Sequence, residues 1–170
     1  MSDPLYLPSK GWGSDHSQHD ANARALETWA EQMAALMPHY LGRLITQGAA
    51  WTNAAADGWE DWGGGGAGTK LTVTKNHTDT NLLVRYGPSL FSSGGTASWN
   101  YAISDGTTRF DQLLAFQNVA DAHIGFTGVA LLTGLTTGAK TLKVQVDATS
   151  GTVMTDGNDY LWMEVWEVPA

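Results

Sequence analysis

The chain has 170 residues, long enough to bury a core in one domain plus an extension without a disulfide or metal staple. It has no cysteine, which excludes thiol chemistry and thiolate-held metals, and its net charge of −8 suits neither a phosphate backbone nor any nucleic-acid partner. No apolar run approaches the length of a membrane span and no basic–apolar leader opens the sequence, so neither membrane insertion nor secretion is expected.

Residues 1–15 carry Pro4, Pro8, Gly11 and Gly13 and read as an extended arm, with Leu5, Tyr6 and Trp12 as its apolar anchors. Residues 20–37 (DANARALETWAEQMAALM) are the strong helix signal. Asp20 stands as N-cap, and Leu26, Trp29, Met33 and Leu36 form one stripe at alternating steps of three and four. That stripe is too short to specify a coiled coil, so packing on its own domain and bundling around a symmetry axis both stay open. Pro38 should end this helix, and a second short helix is expected from Pro38 to Gln47 with Gly48 as terminator.

Residues 49–68 (AAWTNAAADGWEDWGGGGAG) read as a Trp/Gly-rich linker, with Gly63 to Gly66 as a hinge behind Trp51, Trp59 and Trp62. The domain plan is therefore an anchoring arm and helix over 1–48, a linker over 49–68 and a β domain over 69–170. From Lys70 the pattern changes to period two. Strands are expected around 71–73, 82–86, 97–104, 108–117, 123–135, 140–148 and 160–168, separated by turn chemistry such as Asp105-Gly106 and Thr137-Gly138. Seven short strands at regular spacing predict a mainly β protein, an antiparallel sandwich of jelly-roll type preceded by a short helical segment.

Catalytic patterns are sparse. No nucleophile elbow occurs, and GGGGAG lacks the Lys-Ser/Thr ending of a phosphate loop. Asp15, His16, His19 and Asp20 could make a small metal site but read better as solvated or capping groups. The DGND run at 156–159 has part of a calcium loop without its distal Glu, so a hairpin turn explains it better. His39, His77 and His123 lie in different elements without ligand spacing. Asp105, Asp111, Asp147, Glu164 and Glu167 fall beside turns or on alternating positions that suit solvated faces. No catalytic residue, metal or cofactor is expected, and the chain is read as a non-enzyme.

The aromatics carry more weight. Trp162 and Trp166 lie on one face of the last strand, with Met163 and Val165 on the other, so both faces of that strand require cover. A subunit interface is the expected cover, formed by Trp162, Met163, Val165 and Trp166 together with the helix residues Leu26, Trp29 and Met33. Trp99 and Tyr101 alternate on another strand and are the residues to which a glycan platform would fall.

The run GVALLTGLTTGAKTLKVQVDATSGTVMTDGNDYLWMEVWEV resembles the C-terminal end of tumour necrosis factor-like and complement-type jelly rolls in bacteriophage virion proteins. The matching stretches are Leu132 to Val144 and Asn158 to Val168. NARALETWAEQM is similar to short N-terminal helices of minor tail and related virion proteins from phages of actinobacteria. The resemblance implies a ten-strand jelly roll assembling as a homotrimer, with the last strand near the threefold axis and an N-terminal segment tying it to the particle. Its absence of a repetitive shaft departs from long fibre proteins. The expected function is that of a non-enzymatic virion protein, made in the bacterial cytoplasm. A minor tail or tail-tip protein in host-surface attachment comes first, with a capsid decoration protein or head fibre as alternative and a stand-alone glycan-binding module as the reading from another class. Its expected partners are copies of itself, other tail or capsid proteins and a host cell-surface glycan.

Overall fold

Alternating apolar residues with β-branched and aromatic neighbours suit a pleated, half-buried surface, and here they build two stacked antiparallel sheets. The computed structural model describes residues 16–35 and 37–170, in two units that divide after Pro38. The first contains helix α1, His16–Ala35. The arm anchors Leu5, Tyr6 and Trp12, with Asp15 and Leu36, lie outside the described residues. His16, His19 and Asp20 fall within α1.

The second unit contains twelve strands among the described residues. They are β1 (His39–Gln47), β2 (Trp51–Ala54), β3 (Glu60–Asp61), β4 (Lys70–Lys75), β5 (Thr80–Leu90) and β6 (Ala97–Ser104). β7 (Arg109–Gln117), β8 (Ile124–Gly125), β9 (Gly128–Leu132), β10 (Gly138–Ser150), β11 (Thr152–Thr155) and β12 (Tyr160–Pro169) follow. The first sheet has the order β1-β12-β5-β8, with β9 also on β5. The second has the order β3-β10-β6-β7, with β4 also on β10, and β11 pairs with β2 in a separate ribbon. The result is the mainly β, jelly-roll-like antiparallel sandwich expected from the alternation.

Between the sheets lie Leu82, Val84 and Tyr86 of β5, Trp99, Tyr101 and Ile103 of β6, Val144 and Val146 of β10, and Leu161, Met163 and Val165 of β12. The seams are closed on both sides. Gly42 of β1 faces Val73 and Leu71 of β4, and Asp111 of β7 accepts the Leu131 N–H of β9 at 3.2 Å. Closing the seams hides the unpaired strand edges that would otherwise template aggregation.

Two segments differ from the sequence reading. Residues 38–47 are not a helix: β1 runs antiparallel to β12, with Leu44 opposite Met163 and Ile45 opposite Trp162. The steps between Tyr40 and Leu44 mimic helical spacing, but a bulge at Leu41 shifts the register and Leu44 and Thr46 share the inner face. Pairing with β12 decides the conformation, and the β-branched Ile45 and Thr46 agree with it.

Residues 49–68 are not a linker either. They form β2, β3 and the 3-10 turns Trp62–Gly65 and Ala67–Thr69 within the β unit, and Trp62 is fully buried with its Nε1 donating to the Ser89 carbonyl at 3.0 Å. Gly63, Gly64 and Gly65 have φ of 64°, 77° and 72°, a left-handed run open to glycine and strained for other residues. The run wraps back over Asp61, whose carboxylate accepts from Lys143 at 2.7 Å and Gln145 at 2.9 Å. Burial pushes the Asp61 carboxyl up, but those hydrogen bonds and the charges of Lys143 and Lys70 outweigh it and hold it below its ordinary value. Asn53, fully buried, donates to the Gly58 carbonyl at 2.9 Å and accepts the Ala148 N–H at 2.7 Å, so this segment is tied to β10.

Candidate functional site

The register of the first sheet sorts its side chains. Leu161, Met163 and Val165 face inward and are fully buried, while Trp162, Glu164 and Trp166 face outward. Pairing carries that outer face across the sheet: Tyr40 lies opposite Trp166, Arg43 opposite Glu164 and Ile45 opposite Trp162. On the other side of β12, Arg85 of β5 reaches Glu164, and Leu83 and Arg85 pair with Leu131 and Val129 of β9. Aromatic and aliphatic side chains of four strands thus share one surface. Tyr40, Ile45, Val129, Leu131 and Tyr160 are exposed on it, and Trp162, Trp166 and Leu83 are half-buried.

Side-chain contacts within the chain order this surface. Tyr40 meets Trp166 edge-on with ring centroids 5.7 Å apart, and the Arg85 guanidinium lies 5.9 Å from the Trp162 ring. The Trp162 indole lies across β5 at Gly87, where a Cβ would overlap it. At the centre Glu164 faces two guanidiniums, Arg43 and Arg85, each at 3.8 Å and each about half exposed. One carboxylate against two arginines leaves this apolar face locally positive in an acidic protein. Exposed pairs of this kind add little stability. A contiguous apolar surface spanning four strands is the kind of patch that marks association.

The interface residues expected from the sequence divide accordingly. Trp162 and Trp166 lie on the outer face, but Met163 and Val165 belong to the chain's own core and are unavailable to a partner. On α1, Leu26 is 53% exposed, and Trp29 and Met33 are each 43% exposed. Tyr40, Ile45, Val129, Leu131 and the two arginines went unmarked in the sequence. The available signal was the unbroken apolar runs LLV at 82–84 and VALL at 129–132, where a strand wetted on one face would alternate.

Trp99 and Tyr101 are no glycan platform. They are 0% and 5% exposed, and with Tyr86 and Phe126 they form an aromatic cluster between the sheets. Their strand reads apolar–polar, and the apolar positions are the inner ones. The Trp99 Nε1–H has no hydrogen-bond partner and lies near Phe126, whose ring meets the indole edge-on at 5.5 Å.

Two polar clusters close the ends of β12. At its start the DGND run turns β11 into β12, but these strands lie in different sheets, so it is a connection between sheets and not the expected hairpin turn, and Asp159 is fully buried. Its Oδ1 accepts from Ser89 at 2.8 Å and lies 3.0 Å from His123 Nδ1, and its Oδ2 accepts the Asp156 N–H at 2.9 Å. His123 Nε2 lies 3.8 Å from Asp156. One imidazole and two carboxylates are metal-ligand types, and their ligand atoms lie within 4.8 Å of one another, with Ser89 and the Asp156 N–H already hydrogen-bonded to Asp159. Ser89 and His123 converge on the same carboxylate oxygen, so the imidazole is not placed between serine and aspartate as a nucleophile's base would be. The hydrogen bond to Asp159 raises the His123 pKa; burial opposes it, and the charges of Asp159, Asp156 and Asp121 reinforce it.

At the far end Glu167 was read as a solvated-face residue, but it is 1% exposed. Its carboxylate accepts the N–H groups of Asn76 and His77, at 3.0 and 2.8 Å, and the Thr80 hydroxyl at 2.5 Å. Burial pushes this carboxyl up, yet the bonds from Thr80, Asn76 and His77 dominate and bring its pKa down to about 2. Glu167 thereby fixes the loop between β4 and β5.

No protein-family model and no curated protein matches this sequence. Among solved structures, the chain is similar to a beta-(1,4)-mannanase of Podospora anserina with a GH26-CBM35 architecture, at 16% identity and a TM-score of 0.29. That match covers 76% of this chain, which spans 28% of the mannanase chain.

Proposed function

We propose that this chain is a non-enzymatic structural protein of a bacteriophage particle, acting as a homotrimer at the tail tip in host-surface attachment. The observation that carries the reading is the outer face of the first sheet. A free monomer would leave Tyr40, Ile45, Val129, Leu131 and Tyr160 in water around two half-buried tryptophans. Burying one large apolar side chain gains roughly 1.5–3 kcal/mol, so a shared cover for several of them favours assembly strongly. Closed cyclic symmetry supplies that cover once per subunit. The virion setting and the number three come from the resemblance over Leu132 to Val144 and Asn158 to Val168.

Sedimentation of the full chain at micromolar concentration should give three times 18.2 kDa. A clean monomer would remove the physical support. Immunogold labelling of particles should place the protein on the tail; labelling on the head would favour the decoration or head-fibre role instead. Attachment to a host glycan, if it is direct, needs a surface other than Trp99 and Tyr101.

A further inference from the structure

We propose that His123 and Asp156 hold a divalent transition-metal ion of the zinc class where the chain enters β12, with Asp159 as the positioning residue behind the imidazole. The inference is independent of the assembly reading. Asp159 is fully buried, and its Oδ1 lies 3.0 Å from His123 Nδ1. An ionised carboxylate only accepts hydrogen bonds, so the imidazole proton sits on Nδ1 and the lone pair on Nε2. Asp156 meets that lone pair. Its Oδ1 accepts the Asn158 N–H at 2.7 Å, and its Oδ2 lies 3.8 Å from His123 Nε2. That separation is too long for a hydrogen bond. It is close to the ~3.4 Å between a nitrogen and an oxygen ligand of a tetrahedral zinc ion. The two side chains are 30% and 39% exposed, which leaves them room to close the difference and leaves the remaining coordination positions to water.

Charge points the same way. A buried carboxylate is stable when paired with a cation or turned toward a metal site. Among the described residues, however, no lysine or arginine forms an ion pair with Asp156, Asp159 or Asp121. All three of these carboxylates act on His123, and a dication on its Nε2 answers them together. An imidazole that ligates through one nitrogen and donates from the other to a carboxylate is the recurring outer-shell arrangement of zinc sites. The imidazole also disfavours calcium and magnesium, which take oxygen ligands. The ion would tie the loop before β8 to the connection between β11 and β12.

Zn²⁺ is titrated into the full, untagged chain at about pH 8, because only the neutral imidazole ligates. Two-bond proton–nitrogen spectra read all five histidines at once, and His123→Gln identifies the His123 signals by their loss. The expected result is that His123 Nε2 shifts on metal binding while Nδ1 stays protonated, and that Zn²⁺ raises the thermal midpoint of the native chain. His123→Gln and Asp156→Asn, both at partly exposed positions, should keep the native amide spectrum and each weaken zinc binding at least tenfold. The metal-free native spectrum tests Asp159 without a variant: neutral His123 should be the Nδ1–H tautomer, and the Nε2–H tautomer would overturn the arrangement. Zinc that shifts only other histidines overturns the proposal, as does an affinity unchanged in His123→Gln. Equal binding of Ca²⁺ also overturns it, since that would report attraction to carboxylates alone.

Discussion

The outward positions of the second sheet hold Ser98, Asn100, Gln145 and Asp147, where the first sheet holds Leu83, Ile45, Trp162 and Trp166. Ser98 and Gln145 of this polar face are satisfied within the chain. Ser98 shares hydrogen bonds with Thr149 at 2.7 Å and Ser150 at 2.8 Å, and Gln145 accepts from Arg109 at 2.8 Å while donating to Asp61. Its large apolar exceptions, Leu114 and Phe116, sit on β7 at the sheet's border. The apolar face has no such internal satisfaction available, because only removal from water stabilises it. Two sheets with equally buried inner faces thus differ in what a partner could gain from them.

The comparison predicts that stability lies on inner faces and association on one outer face, and substitutions can break it. The largest effect belongs to the inner face of the second sheet. Trp99→Ala should cost about 3–5 kcal/mol in urea unfolding, because a fully buried indole leaves a cavity among Tyr101, Phe126 and Ala115. Any loss of ligand binding in that variant would report misfolding. A cost below about 1 kcal/mol would contradict the core position of Trp99.

Next comes the inner end of β12. Glu167→Gln keeps the shape but removes the charge on which the Asn76 and His77 N–H groups, the Asn76 side-chain amide and the Thr80 hydroxyl converge, and should cost about 1–3 kcal/mol at neutral pH. The pKa is depressed in the folded chain, so the ionised form is the one that folding favours. Its contribution is fully present above the unfolded value near 4.5 and fades as pH falls through about 2. A shift of this size amounts to roughly 3 kcal/mol. Unfolding free energies measured from pH 5 to pH 2 should fall more steeply in the native chain than in Glu167→Gln; equal slopes would show that the carboxylate is not held as described.

The direct test of the two outer faces is a matched pair. Ile45→Asp and Phe116→Asp each place a carboxylate on an exposed apolar position, 56% and 69% exposed respectively. Ile45→Asp should weaken self-association at least tenfold, about 1.4 kcal/mol, while leaving unfolding of the β unit little changed. Phe116→Asp should leave association unaltered. If both variants dissociate equally, the assembly face is not confined to the first sheet.

This contrast was only half legible in the sequence. The alternation in ASWNYAIS and KTLKVQVDA marks strands with one polar face, but not that they pair with each other, Tyr101 opposite Val146. The apolar residues on both faces of YLWMEVWEV were also visible, but not how the inner ones were covered. That depends on β1, whose HYLGRLITQ has helical spacing by accident of a bulge at Leu41 and becomes a strand by pairing with β12. Gly63 to Gly66 looked like a hinge because composition does not distinguish a free run of glycines from one held in left-handed turns around Asp61. The β unit consequently begins at His39, and truncation to residues 69–170 would remove β1, β2, β3 and buried Trp62. Glu167 gave no signal, since its partners Asn76, His77 and Thr80 are remote in sequence and converge only through the sandwich.

The smallest predicted effect lies at the opposite end of β12 from Glu167, where a histidine meets the Asp156–Asp159 turn. His123 Nδ1 lies 3.0 Å from the buried Asp159 carboxylate, and its ring stacks on Phe91 with centroids 4.4 Å apart. The hydrogen bond to Asp159 and the surrounding carboxylates raise its pKa in the folded chain. The stabilising contribution is therefore fully present below the unfolded histidine value of about 6.5 and is lost as pH rises through the elevated folded value. Because the imidazole is partly open to water, screening limits the effect to a few tenths of a kcal/mol. His123→Gln should accordingly lower stability slightly at pH 5.5 relative to the native chain, with the gap narrowing as pH rises toward 8.5. A gap that widens with rising pH would mean that the neutral imidazole is the form the fold prefers. Asp159 would then be held by Ser89 and the Asp156 amide alone, and the two ends of β12 would no longer be anchored by the same kind of charge-assisted bond.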